Sequence, residues 1–310
     1  MSAIHATAPV PFAWAGFSLQ TPAHWEVVAL ERDFVRFEND RGPRLECRWQ
    51  HTEGSYRLDR RLTKAASQVK RAATIRAGSD DAPLPEPFTR AMEELSAHGF
   101  QTRTFGWTER AAHAPHPGAL LHHDASDTAL ILRAFPPKQP ADDEELASGL
   151  ATMRCHPRDS ERPWAVFGMR AFLPGRLALK TFSFKPGHYR LQFTEDKRTS
   201  LALERLGPAQ LVLKGEELTA WARQFYKNLN LHAAQPAETH AGWTVLEKPW
   251  PRGLRGGLAR VLPGFLRARS FRLALRLADL ESKVLAVRME GPRPLTDEEF
   301  HTVCERYEIL

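Results

Sequence analysis

One stretch of this chain occurs twice, and the distance between the copies constrains the fold more than any other feature. Phe12-Ala-Trp-Ala-Gly16-Phe-Ser-Leu-Gln-Thr-Pro22 lies without gaps on Trp164-Ala-Val-Phe-Gly168-Met-Arg-Ala-Phe-Leu-Pro174, so Gly168 follows Gly16 by 152 residues. The correspondence returns at Phe37/Phe193, Asp40/Asp196 and Leu45/Leu201, and near the ends of both copies, where Asp143-Glu-Glu-Leu146 parallels Asp297-Glu-Glu-Phe300. Solenoid units run to about 20–50 residues, so a spacing this long implies a whole domain duplicated. At 310 residues, the chain has length for two domains with a core each. The copies are expected over residues 10–157 and 163–310, joined by the polar linker Arg158-Asp-Ser-Glu-Arg-Pro163.

Within the first copy, Phe17 to Leu19 and Trp25 to Leu30 read as strands. Phe34-Val-Arg-Phe37 and Leu45-Glu-Cys-Arg-Trp49 alternate with period two across Asn39-Asp-Arg-Gly42, the pattern of a hairpin. From Tyr56, apolar residues Leu58, Leu62, Ala65, Ala66 and Val69 fall at helical steps. Asp80 to Pro87 reads as a proline-rich loop, and strands resume at Phe100–Trp107, Ala119–His122 and Thr128–Phe135. A last helix begins at Asp142, with Glu145 three residues on as an acidic capping box.

The second copy repeats the order: strands at Met169–Phe172, Tyr189–Phe193 and Leu201–Arg205, then a helix marked by Leu218, Trp221, Ala222, Phe225 and Leu229. Strands follow at Phe271–Leu277 and Val284–Met289, and a capped helix from Thr296 with Phe300, Val303, Cys304 and Tyr307 inward. The expected class is α+β: two tandem pseudo-repeat domains, each a mainly antiparallel sheet packed with helices.

Gly16-Phe-Ser-Leu-Gln-Thr-Pro22-Ala-His-Trp25, leading into strands and a hairpin, resembles the opening of PsbP-like domains, which share a fold with the Ran-binding Mog proteins. The second copy keeps Gly168 and Pro174 but has Leu177 in place of Trp25. The resemblance implies an antiparallel sheet with helices on its faces and, for function, binding to other proteins without chemistry. It carries no catalytic or ligand residues.

Several activities lose support. There is no run of about 18 apolar residues to cross a membrane, and Met1-Ser-Ala-Ile-His-Ala does not open like a secretory signal. Cys47, Cys155 and Cys304 are sparse and odd in number, and read as buried thiols in a reducing cytoplasm. No Gly-x-Ser-x-Gly elbow, phosphate loop or dinucleotide glycine pattern is present, and no cofactor is implied. His113, His116 and His122, with His123 and Asp124, form the one constellation with metal-ligand chemistry. Against it, neighbours in a strand point to opposite faces, so His122 and His123 diverge.

The second copy alone carries a basic stretch. From Lys248 to Ala278 there is no Asp or Glu, but Lys248, Arg252, Arg255, Arg260, Arg267, Arg269, Arg272 and Arg276 are present, in a chain whose net charge is +6. Residues 248–270 are expected as an insertion in which Leu254, Leu258, Val261, Leu262, Phe265 and Leu266 recur at helical spacing, interrupted by Gly256-Gly257 and Pro263-Gly264. Arg252, Arg255, Leu258, Arg260, Phe265, Arg267 and Arg269 are the candidate partner-binding residues. The expected function is a cytoplasmic, non-catalytic protein-binding adaptor, with an acidic protein as the expected partner of the basic stretch. One alternative is a binder of nucleic acid or acidic membrane through residues 248–276. The other is a metal-dependent or cleft enzyme.

Overall fold

The computed structural model describes residues 8–52, 56–60, 73–77, 84–109, 115–195, 199–229, 231, 235–236, 242–248, 271–290 and 296–310. The chain divides into two compact units, Met1–Phe167 and Gly168–Leu310.

The first unit contains a seven-stranded sheet. Its strands are β3 (Glu26–Leu30), β4 (Phe34–Asn39), β5 (Gly42–His51), β6 (Ala73–Ala77), β7 (Phe100–Glu109), β8 (His116–His123) and β9 (Thr128–Ala134), in the spatial order β3-β4-β5-β9-β8-β7-β6. A smaller set packs against it: β1 (Val10–Trp14) pairs with β2 (Phe17–Thr21) and with β11 (Glu161–Val166), and β2 pairs with β10 (Arg154–Cys155). Aromatic rings make the core between them. Phe12 meets Phe37 edge-on at 5.0 Å, Phe17 lies 5.0 Å from Trp49, and Trp25 lies 6.2 Å from Phe37. Helices α1 (Glu86–Ala97) and α2 (Ala141–Ala151) belong to the same unit. Phe88, Ala91, Met92 and Leu95 give α1 a buried stripe at helical spacing.

The second unit repeats the seven-stranded topology. Its strands are β13 (Ala178–Lys185), β14 (His188–Thr194), β15 (Ser200–Leu206), β16 (Gln235–Pro236), β17 (Thr244–Lys248), β18 (Phe271–Ala278) and β19 (Lys283–Glu290), in the order β13-β14-β15-β19-β18-β17-β16. This matches the first sheet strand for strand. Helices α3 (Ala209–Leu213) and α4 (Leu218–Phe225) precede β16, and α5 (Asp297–Glu305) follows β19. β12 (Met169–Pro174) pairs with the terminal strand β20 (Glu308–Ile309).

These elements correct the expected α+β class. Among the described residues the structure is mostly antiparallel β, with the strands in three sheets and few helices. The misreading has a physical origin in strands that lack clean alternation. Val10–Trp14 carries Pro11 and buries consecutive residues, Ala178–Lys185 contains a bulge, and Thr244–Lys248 is buried at both Val245 and Leu246. The helix expected from Tyr56 through Val69 is helical at residues 58–60, and the rest lies outside the described residues.

The duplicated glycines sit at backbone positions that require them. Ala15 and Gly16 have φ of 50° and 90° between β1 and β2, and Phe167 and Gly168 have 49° and 71° between Val166 and Met169. Two consecutive positive φ values match the twist of a two-residue hairpin turn. The prolines correspond too: the carbonyls of Pro22 and Pro174 each accept a hydrogen bond from the residue three further on, Trp25 N–H and Leu177 N–H, both at 3.0 Å.

The starts of α2 and α5 differ. Thr296 and Glu299 form a reciprocal capping box at α5, as their spacing predicts. The box expected at Asp142 is absent. Asp142 sits inside α2, has no solvent exposure, and accepts hydrogen bonds from the backbone N–H of Lys138 (2.6 Å) and Gln139 (3.0 Å). It also meets Arg41 at 2.9 Å and the buried Arg44 at 3.1 Å. Its carboxylate ties the helix start to β5 and the β4–β5 turn instead of capping the helix.

Candidate interaction surfaces

The hairpin turns at one end of each large sheet are equivalent in register and different in chemistry. In the first unit His123 pairs with Thr128 across residues 124–127, and in the second Ala278 pairs with Lys283 across residues 279–282. Asp127 and Ser282 close these turns with φ of 47° and 51°.

Polar groups gather around the first turn. His122 is 4% exposed, and its Nε2 lies 3.1 Å from Thr52 Oγ1. Its Nδ1 is 2.8 Å from Asp124 Oδ1 but out of line for a hydrogen bond. Tyr56 stacks on the imidazole at 4.8 Å, and Gln101 donates to Asp124 at 2.9 Å. His123 faces the other way, with Nδ1 2.8 Å from Ser126 Oγ; burial, then the neighbouring His122, lower its pKa against the opposing pull of Asp124.

Thr52, His122 and Asp124 thus stand in the order of a nucleophile, a base and its orienting carboxylate. Such a relay requires the third group to align the base. Here that contact is misaligned, the carboxylate is mostly exposed, and one imidazole face is covered by Tyr56. His116 lies six residues from His122 in β8 and packs edge-on against Trp107 at 5.1 Å. At roughly 3.3 Å per residue, the two are about 20 Å apart, too far to share an ion. His113 lies outside the described residues. Among the described residues, no three His, Cys, Asp or Glu side chains gather to hold a metal ion.

A cleft of about 1120 Å³ opens beside this cluster, lined by Tyr56, Arg57, Asp59, Arg60, Gln101 and Arg103 among others. Arg103 is engaged by Asp59 at 2.8 Å.

The second turn is apolar. Leu277 and Leu280 stand where the first unit has His122 and Ala125, and they are 38% and 98% exposed. Helix α3 is fastened to this turn, because Ala209 N–H donates to Ser282 O at 2.7 Å and Ser282 Oγ bonds Gln210. It presents Leu211, 70% exposed, at the same end of the sheet. Phe225 of α4, which packs edge-on against His188 of the same sheet end, is also exposed.

Inside the second unit a buried carboxylate organises the helix-covered face. Glu204 of β15 is 1% exposed, with His188 Nε2 at 2.8 Å, Tyr226 Oη at 3.3 Å and Arg288 Nε at 3.4 Å. Burial alone would raise its pKa, but the His188 hydrogen bond and then the charges of Arg288, His188 and Arg190 bring it below the ordinary value. No single residue here is conspicuous in the sequence; they meet only when β14, β15, β19 and α4 assemble.

Of the basic stretch, Arg252, Arg255, Leu258, Arg260, Phe265, Arg267 and Arg269 lie outside the described residues, as does most of the 248–270 insertion. The two arginines of β18 serve the fold. Arg272 bonds Glu247 at 3.0 Å and Asp297 at 2.5 Å, and Arg276 donates to Tyr307 O at 2.9 Å while covering Trp243. All three cysteines are free and buried. Burial pushes the Cys155 and Cys304 thiols up to about 12 and raises Cys47 well above its usual value, so none supplies a thiolate near neutral pH.

No protein-family model and no curated protein matches the chain. No helix among the described residues is long and apolar enough to cross a membrane.

Proposed function

We propose that this protein is a non-catalytic adaptor that binds another protein, in the cytoplasm, through surfaces on which its two topologically equivalent units have diverged. The observation that carries this reading is the apolar end of the second large sheet: Leu211, Leu277 and Leu280 exposed around one turn, where the equivalent turn of the first unit is polar. Single exposed leucines are ordinary, whereas a cluster at one place marks a surface that another protein covers. Covering such a side chain contributes about 1.5–3 kcal/mol. The opening-string resemblance to PsbP-like domains points the same way, as do the out-of-line Thr52–His122–Asp124 contact and the buried, protonated thiols.

Affinity purification from the native host tests the proposal. The wild-type chain is expected to return a stoichiometric protein partner, and Leu211→Asp with Leu280→Asp to lose it while remaining folded. A wild-type chain that elutes alone, or a partner retained in full by the double variant, overturns it.

A further inference from the structure

Three arginines are buried among the described residues, and one of them has no carboxylate. Arg44 meets Asp142, and Arg288 meets Glu204 and Glu290. Arg162 of β11 is 7% exposed and donates only to backbone carbonyls, from Nε to Pro157 O at 3.0 Å and from Nη2 to His156 O at 3.1 Å. Carbonyl dipoles satisfy these N–H groups but leave the charge unmatched, and a buried charge is normally paired. Its Nη1 makes no hydrogen bond among the described residues and, unlike Nη2 of Arg44, is not sealed from solvent. The backbone holds the guanidinium in place. Gly16, at a φ of 90°, accepts from His156 N–H at 2.8 Å, and a Cβ there would stand 3.4 Å from Arg162 Cζ.

Further positive charge gathers around this point. Among the described residues, neither Arg154 nor Arg158 makes an ion pair with a carboxylate. Arg154 gives Nη1 to the carbonyls of Ala151 and Met153 and sets Nη2 2.9 Å from His98 Nε2, while Arg158 is exposed. After burial, Arg158 is the first charge that lowers the Arg162 pKa, against the pull of Asp159. His51, at the end of β5, has its pKa lowered by burial and then by Arg158 and Arg162, against backbone hydrogen bonds with Asp127 and Ser126. His156, whose Nε2 lies 2.8 Å from Ser18 Oγ, has its pKa lowered by burial and then by Arg162, His123 and Arg154. Asp159 is exposed, and Glu161, next to Arg162 in β11, belongs to the opposite face of the strand.

We propose that Arg158, Arg162, His51 and His156 form a binding site for a phosphate group, carried by inorganic phosphate or by a small phosphomonoester. A dianion matches the two guanidiniums in charge, and guanidinium N–H forks fit phosphate oxygens. Arg162 Nη1 is the donor left for the anion, and Arg158 supplies the second guanidinium. The imidazoles gain protons as the anion binds, because a nearby negative charge favours their charged form. The site uses residues of the first unit alone and does not depend on the adaptor reading.

The test titrates the full chain with inorganic phosphate and with phenyl phosphate by calorimetry, against sodium chloride at matched ionic strength. Saturable binding is expected. Binding of phosphate alone assigns the free ion, and tighter binding of phenyl phosphate assigns the monoester. Arg158→Gln removes an exposed side chain that makes no hydrogen bond or ion pair among the described residues, and should weaken binding roughly tenfold. Lys227→Gln, an exposed control in the second unit, should leave it unchanged. In proton NMR the ring resonances of His51 and His156, assigned with His51→Gln and His156→Gln, should titrate at higher pH with the anion bound. Arg162→Gln should abolish binding. It also removes two carbonyl bonds, so Arg158→Gln and the histidine titrations decide the matter if that variant unfolds. No saturable binding of either phosphate, full binding by Arg158→Gln, or histidine titrations unmoved at saturation overturns the proposal.

Discussion

Replacing Asp142 by Asn removes the solvent-excluded carboxylate that meets both Arg44 and Arg41. The Asp142 side chain is solvent-excluded and meets Arg44, itself 1% exposed, at 3.1 Å and Arg41 at 2.9 Å, besides two backbone N–H groups. Arg44 otherwise donates to Pro136 O at 3.2 Å, and its Nε and Nη2 make no hydrogen bond. Asn keeps one oxygen for the backbone donors but turns an NH2 group toward two guanidinium ions. Breaking a buried pair by removing one partner costs about 3–5 kcal/mol, because the remaining charge stays buried. For a unit of this size, each kcal/mol moves the melting temperature by about 2–4 °C, so calorimetry should show a drop of roughly 6–20 °C in the transition that contains the first unit. Converting both Asp142 and Arg44 to leucine should recover part of the loss, since it removes the buried Arg44 charge but leaves Arg41 and the N–H groups of Lys138 and Gln139 without the carboxylate. A drop under about 2 °C for Asp142→Asn would refute the assignment of Asp142 as the carboxylate that neutralises Arg44.

Other outcomes follow from the same geometry. Asp142 and Glu204 both have folded pKa values held below their ordinary 3.8 and 4.5, so each contributes stability above its unfolded pKa that is lost as pH falls through the folded value. Acid titration by circular dichroism should therefore show stability falling below about pH 5, with a shallower fall for Glu204→Gln, and an unchanged slope in that variant would count against the network. Gly118 lies under the Phe105 ring, which would stand 2.4 Å from an added Cβ, so Gly118→Ala should destabilise the first unit by about 1–3 kcal/mol in chemical denaturation. A neutral result would mean that the ring is not seated there.

Parts of this fold were legible in the sequence because a local rule decided them. The β4–β5 hairpin follows from Asn39, whose side chain accepts from Arg41 N–H at 2.9 Å, and from Gly42. The α5 start follows from Thr296 and Glu299. Helix α1 was hidden by Pro85 and Pro87, which read as loop residues although proline is tolerated before and within a first helical turn. β13 was hidden by its bulge, which shifts the register between Leu179 and Thr181 and confines the alternation to the five residues Thr181 to Lys185.

The surfaces were less legible, for a different reason. A histidine run suggests ligands, but the partners of His122 come from Thr52, Tyr56 and Asp124 on separate elements. Asp142 looked like a cap because its spacing to Glu145 is that of a cap; only the approach of Arg41 and Arg44 shows its actual role. Leu280 is one leucine among many in the sequence, and its exposure appears only when the β18–β19 turn and α3 are placed side by side.

The adaptor reading stands or falls on where a bound partner covers this chain. Amide hydrogen exchange of the complex purified from the native host, compared with the free protein, measures that directly. The account predicts slowed exchange in the second unit over residues 209–213 and 277–283, the segments that present Leu211, Leu277 and Leu280. Slowed exchange confined to the first unit, around His122–Asp127 and the cleft beside Tyr56, would contradict it.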